Sequence, residues 1–143
     1  MAAIGVVDSH MPLLSWRRAY GARDPDAIAA ARDFAVEFLE HARRVLRAPL
    51  ADRVFQDVQL VVSELVTNTA KYAPGPCAVS LALAPGGIDV TVCDSNPSVP
   101  RSAPQDPDRV GRHGLEIAAA LSEYMFTWRH AAGKCVRARI ALS

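Results

Sequence analysis

Two runs of alternating residues, Cys77 to Leu83 and Ile88 to Cys93, are joined by Pro85-Gly86-Gly87, and they restrict this chain more than any other stretch. Successive side chains of a strand point to opposite faces, so Val79, Leu81 and Leu83 share one face and are met by Ile88, Val90 and Val92 on the facing strand. A hairpin with one apolar face needs cover, and the preceding residues supply two helices. Asp24 followed by Pro25 reads as a helix start, because Asp accepts from free backbone donors and Pro suits the first turn. Ile28, Ala31, Ala35, Phe38 and Leu39 then recur at helical spacing to about Leu46. After a break at Ala48-Pro49-Leu50, a second helix carries Val54, Val58, Val61, Val62, Leu65, Val66 and Thr69 as its apolar stripe. Pro74, Gly75 and Pro76 end it sharply.

The remaining segments extend the same α/β layer. Leu13 to Tyr20 reads as a short, weakly patterned first strand, while Tyr124 to His130 and Cys135 to Leu142, turning at Ala132-Gly133, read as a second hairpin. Between the hairpins the character changes. Ser95 to Arg112 contains Pro97, Pro100, Pro104 and Pro107 and has almost no apolar periodicity, the signature of a long loop that is a functional lid or disordered. Gly111-Arg112-His113-Gly114 then leads into a helix expected over Leu115 to Leu121. With 143 residues and neither repeats nor a linker, the whole of 1–143 is expected to form one domain around its own core.

Bulk properties exclude several roles. A formal charge of +1 gives no general attraction to nucleic acid or to an anionic membrane, and no stretch approaches the roughly 20 apolar residues of a membrane span. Cys77, Cys93 and Cys135 show no CxxC pair and no histidine at zinc spacing, so they read as small buried strand residues in a reducing cytoplasm. With no basic leader at Met1 to Pro12, the expected location is cytoplasmic. His10, His41 and His130 lack partners at metal spacing, Trp16 and Trp128 read as packing residues, and Arg43, Arg44 and Arg47 suit the dipole at a helix end.

The chemistry lies in the second helix and the long loop. Glu64 and Asn68, four residues apart, project from one side of the helix, roughly 40° apart around its axis. They fall along a margin of the apolar stripe, where a cleft beside the core opens. The Asn68 carbonyl suits a hard cation such as magnesium, and Glu64 beside it suits removal of a proton from an attacking hydroxyl. Asp94, where the sheet runs out into the loop, is an acceptor for an amino group such as adenine N6. Gly111 and Gly114 leave the backbone free to approach phosphate oxygens, the helix start near Leu115 offers unpaired N–H groups, and Lys71, Arg112 and His113 add cationic or polar candidates.

These residues, in this order, resemble the Bergerat-fold ATP-binding domains shared by gyrase, histidine kinases, mismatch-repair ATPases and heat-shock chaperones, and among them the single-domain anti-sigma-factor serine kinases. Glu64-Leu65-Val66-Thr67-Asn68 is similar to the motif whose Asn holds magnesium and whose Glu serves as base. Asp94 matches the adenine-reading Asp, Gly111-Arg112-His113-Gly114-Leu115 the phosphate-facing glycine motif, and Gly133-Lys134-Cys135-Val136 the last motif. Relatives commonly have DxGxG where this chain has Asp94-Ser95-Asn96-Pro97-Ser98, so Asn96 stands in for the first glycine; Cys135 stands where a Thr usually makes a water-mediated contact to adenine. The resemblance implies an α+β two-layer sandwich, with a mixed, mostly antiparallel sheet covered on one face by about three helices and a lid loop.

For function, the resemblance implies a magnesium- and ATP-dependent protein serine kinase. It would phosphorylate a STAS-domain anti-anti-sigma partner and hold a sigma factor or related target; relatives often form homodimers, and the sequence leaves open whether this chain does. The alternative is a partner-binding switch that acts by sequestration without phosphorylation. Glu64 favours the first, and the missing glycines after Asp94 favour the second.

Overall fold

The computed structural model of the protein describes residues 11–21, 24–72, 75–95 and 110–143, with the backbone alone at 72 and 110–114. Five strands and three helices follow in the order β1 (Leu14–Gly21), α1 (Ala27–Val45), α2 (Asp52–Tyr72), β2 (Pro76–Ala84), β3 (Gly87–Asp94), α3 (Val110–Leu121), β4 (Tyr124–His130) and β5 (Gly133–Ala141). They build the expected two-layer α+β sandwich. The strands form one sheet of order β1-β2-β3-β5-β4, and every pairing among them is antiparallel.

The alternation read in the sequence is what aligns the core. Val79 pairs with Val92, Leu81 with Val90 and Leu83 with Ile88, and across the next ladder Val92 meets Val136, Val90 meets Ala138 and Ile88 meets Ile140. All nine side chains are buried on one face of the sheet. The β2–β3 connection is Pro85-Gly86, with Gly86 at φ 83°, the combination of Pro and left-handed Gly that a type II turn requires.

The helices cover that face side by side. Helix α1 lies over β1 and β2, α2 over β2, β3 and β5, and α3 over β5, with α2 packed between the other two. Ala27, Ala31, Ala35 and Ala42 are buried beside Phe34, Phe38 and Leu39, so α1 offers α2 and the sheet a surface of small residues set around three large ones. Trp16 of β1 closes the edge of this layer with its ring 5.5 Å from Phe38 and 6.1 Å from Phe34, the packing role its sequence suggested.

Two boundaries differ from expectation. Asp24-Pro25 forms a turn rather than the first residues of α1: Asp24 Oδ1 accepts from Asp26 N–H at 2.9 Å, and the helix begins at Ala27. The other end agrees with the expected stop near Leu46: α1 ends at Val45, and Arg47, at φ 56°, turns the chain before the proline is reached. Helix α3 begins at Val110 instead of Leu115, so the glycine motif forms its first turn.

Candidate functional site

The chain path brings the singled-out positions to one end of the two layers. Residues 73–75 alone separate the last turn of α2 from β2, and Cys77, next after Pro76, is the cross-strand partner of Asp94. The turn bearing Asn68 and the carboxyl end of β3 are therefore neighbours. Helix α3 ends just before Tyr124, whose partner Arg139 faces Asp89 at the far end of the ladder. Its amino end, with the glycine motif, accordingly lies back at the Asp94 end. The tight β4–β5 turn before Gly133 closes the same end of the sheet.

On α2, Glu64 is half-buried and Asn68 is buried at 7% exposure. The Asn68 Oδ1 atom is enclosed and has no hydrogen-bond partner among the described residues, as is also true of Ser63 Oγ one position before Glu64. Buried acceptors are nearly always paired, so this atom is open to a partner outside the described residues, a water or a ligand included. An amide oxygen of this kind is also the donor type a magnesium ion takes. Lys71 is exposed in the last turn of α2, where its charge suits the helix dipole.

Asp94 is 3% exposed at the end of β3. Its Oδ1 accepts from the backbone N–H of Lys134 at 3.2 Å, which fixes the carboxylate against the start of β5. Gly133 makes this approach feasible, because a Cβ there would come 2.5 Å from the Asp94 carbonyl oxygen and closer still to Oδ1. Only a residue without a side chain fits. Across β2, burial and then the Asp94 charge raise the Cys77 thiol above its usual range, so it stays neutral beside the carboxylate.

The cysteines depart from the sequence expectation. Cys93 and Cys135 are joined in a disulfide, and Cys77 alone is free. Because strand side chains alternate, Cys93 and Cys135 lie on the face turned away from the helices, whereas Asp94 and Cys77 lie on the covered face. Cys135 therefore sits on the opposite side of the sheet from the proposed purine site, with its sulfur engaged by Cys93.

In the glycine motif, Gly111, Arg112, His113 and Gly114 belong to the first turns of α3, so the N–H groups without an intrahelical acceptor lie at this start of the helix. Leu115 packs against the core margin. Asn96 and the lid that follows it lie outside the described residues. Sequence reasoning matched Gly133 and Lys134 to the last motif but did not foresee their contact with Asp94, which shows only once the neighbour across the ladder is known. Among the described residues no helix is long and apolar enough to cross a membrane, and no cluster of His, Cys, Asp and Glu suits a metal ion.

The family model described as a histidine kinase-like ATPase domain matches residues 22–140. A crystal structure of the RsbU and RsbW domains of Rv1364c from Mycobacterium tuberculosis superposes with a TM-score of 0.66 over 92% of this chain, at 19% sequence identity. That likeness concerns the fold, and the chain spans 33% of the length of the matched structure. No curated protein sequence matches the chain.

Proposed function

The chain belongs to the histidine kinase-like ATPase domain family, and on that premise we propose that it is an ATP-binding regulatory protein serine kinase. Its substrate in this reading is a small STAS-domain anti-anti-sigma protein, and its target a sigma factor or related regulator. The observation that carries the reading is the buried, unpartnered Oδ1 of Asn68 at the end of the fold where Asp94 is pinned.

The residues divide the work by their chemistry. Asp94, already bonded to Lys134 through Oδ1, is a carboxylate acceptor for a purine amino group and discriminates against an oxo group at that position. The amide groups of the first turn of α3, including Gly111, supply donors and a positive dipole end to phosphate, Gly114 leaves the backbone open to approach one turn on, and Arg112, His113 and Lys71 are further candidates. Asn68 Oδ1 would hold magnesium, which when bound neutralises phosphate charge. Glu64, one turn before Asn68, accepts the proton of the incoming serine hydroxyl.

Calorimetric titration with ATP, with and without magnesium, tests this directly. Magnesium-dependent binding in the wild type that disappears in Asn68→Ala is the expected result, and absence of binding at millimolar ATP refutes it.

Asp94-Ser95-Asn96-Pro97, where relatives carry glycines, favours a second reading as a switch that binds its partner without phosphorylating it. Glu64→Gln separates the two, since it keeps shape and hydrogen bonding and removes the base. A kinase retains ATP binding and loses phosphate transfer, whereas a sequestering switch regulates its partner unchanged.

A further inference from the structure

We propose that Cys93 and Cys135 are a thiol–disulfide site whose redox state sets how firmly the Asp94 end of the sheet is held, and with it the affinity of that end for an adenine nucleotide. The affinity part rests on the nucleotide reading above. The bond joins residues 42 apart in sequence, with Cα atoms 4.0 Å apart, and Cys93–Cys135 is the last rung of the β3–β5 ladder. One residue beyond this rung, the strands are tied through Asp94 Oδ1 and the Lys134 N–H, with Gly133 seated against Asp94. Strand pairs open first from their ends, so a covalent link at the last rung acts where opening would displace Asp94.

The placement also gives a reductant access. The disulfide lies on the face the helices leave uncovered, opposite Ala78 on β2 and Trp128 on β4. Cys93 is partly exposed, while Cys135 is buried at 5%. Cys77 is on the covered face, so the sheet separates its thiol from the pair.

The exchange is written with a dithiol as reductant. One of its thiolates attacks Cys93 Sγ, the Cys93–Cys135 bond breaks, and Cys135 leaves as a thiolate that takes a proton. The second thiolate of the reductant displaces Cys93, which takes another proton, and the reductant departs as its own disulfide. Two electrons and two protons enter the protein, and a disulfide oxidant runs the same steps backward. In a compartment that keeps thiols reduced, a pair of this kind closes transiently on oxidation.

The test uses the full chain in oxidised form and after reduction with dithiothreitol. Alkylation of free thiols followed by mass spectrometry verifies the linkage, and hydrogen exchange at the Lys134 amide reads the hold on Asp94 without any ligand. Reduction is expected to speed that exchange and to weaken magnesium-ATP binding by roughly five-fold or more. The double variant Cys93→Ser, Cys135→Ser should behave as the reduced protein with or without dithiothreitol, and Cys77→Ser should keep the full response. Absence of a Cys93–Cys135 linkage after oxidation, unchanged Lys134 exchange, or equal ATP affinity in the two states would overturn the proposal. Exchange that responds to redox state in a protein that binds no ATP supports the switch and refutes the nucleotide reading.

Discussion

At the scale of single residues, a buried acceptor without a partner among the described residues carries a cost that a bound partner would offset. Leaving a buried acceptor such as Asn68 Oδ1 unpaired costs about 1–3 kcal/mol. Asn68→Ala is therefore expected to hold or raise unfolding stability in the absence of nucleotide while abolishing magnesium-dependent binding, a pairing that urea denaturation and calorimetry read separately. Asp94→Asn keeps an oxygen for the Lys134 amide and replaces the carboxylate charge. Binding of ATP is expected to weaken by about 1.5–3 kcal/mol, the worth of a hydrogen bond to a charged group; an unchanged dissociation constant would remove Asp94 from the purine site. Glu64, Asn68 and Asp94 were legible as candidates because helical and strand periodicity place each one locally. The pairing of Cys93 with Cys135, and the reason position 133 is Gly, depend on which rungs of the ladder coincide, and residues distant in sequence carry no local trace of that register.

Elements show the same division between local and distant causes. The length and stripe of α2 were readable from its valines, whereas the start of α3 was not, because two glycines and a preceding proline-rich stretch argue against a helix that tertiary contacts with α2 nevertheless favour. The end of α1 contains an avoidable strain. Arg47 adopts a left-handed backbone that costs a side-chain-bearing residue about 1 kcal/mol or more, so Arg47→Gly should raise unfolding stability by about that amount in chemical denaturation. The paired ends of β1 and β2 carry a pH response. Burial raises the Tyr20 hydroxyl, partly offset by Arg18, and burial followed by Asp94 raises the Cys77 thiol. A raised acid stabilises the fold fully below its unfolded pKa and loses that contribution as pH climbs through the folded value. Stability should therefore be level near neutrality and decline once pH passes the ordinary thiol value of about 8.5. In Cys77→Ala the decline should start later, near the phenol range of about pH 10, and denaturation midpoints across alkaline pH would reveal a failure of that shift.

For the whole molecule, connectivity gathers what local chemistry leaves scattered. Glu64, Asp94 and the α3 amino terminus are far apart in sequence, yet the direction of each element returns all of them to one end of the sandwich. A ligand bridging α2, β3 and α3 would brace the entire layer. Saturating magnesium-ATP, at about 100 times its dissociation constant, should add about 2.7 kcal/mol, a rise of roughly 5–10 °C in Tm for a domain of this size. Glu64→Gln should show the same rise and Asn68→Ala none; identical melting curves with and without ATP would count against nucleotide binding. The uncovered face of the sheet has a different consequence. Several of its polar groups bond one another, with Arg139 bonded to Asp89 at 2.8 and 3.0 Å and Arg137 to Thr91 at 2.8 Å, while Arg137 and Arg139 also lie over the rings of Trp128 and Tyr124. Where groups meet one another's bonding needs, a surface can border water as readily as another polypeptide. On that face Tyr124 and Phe126 stay exposed beside these bonded charges, so it presents aromatic surface and paired charge together.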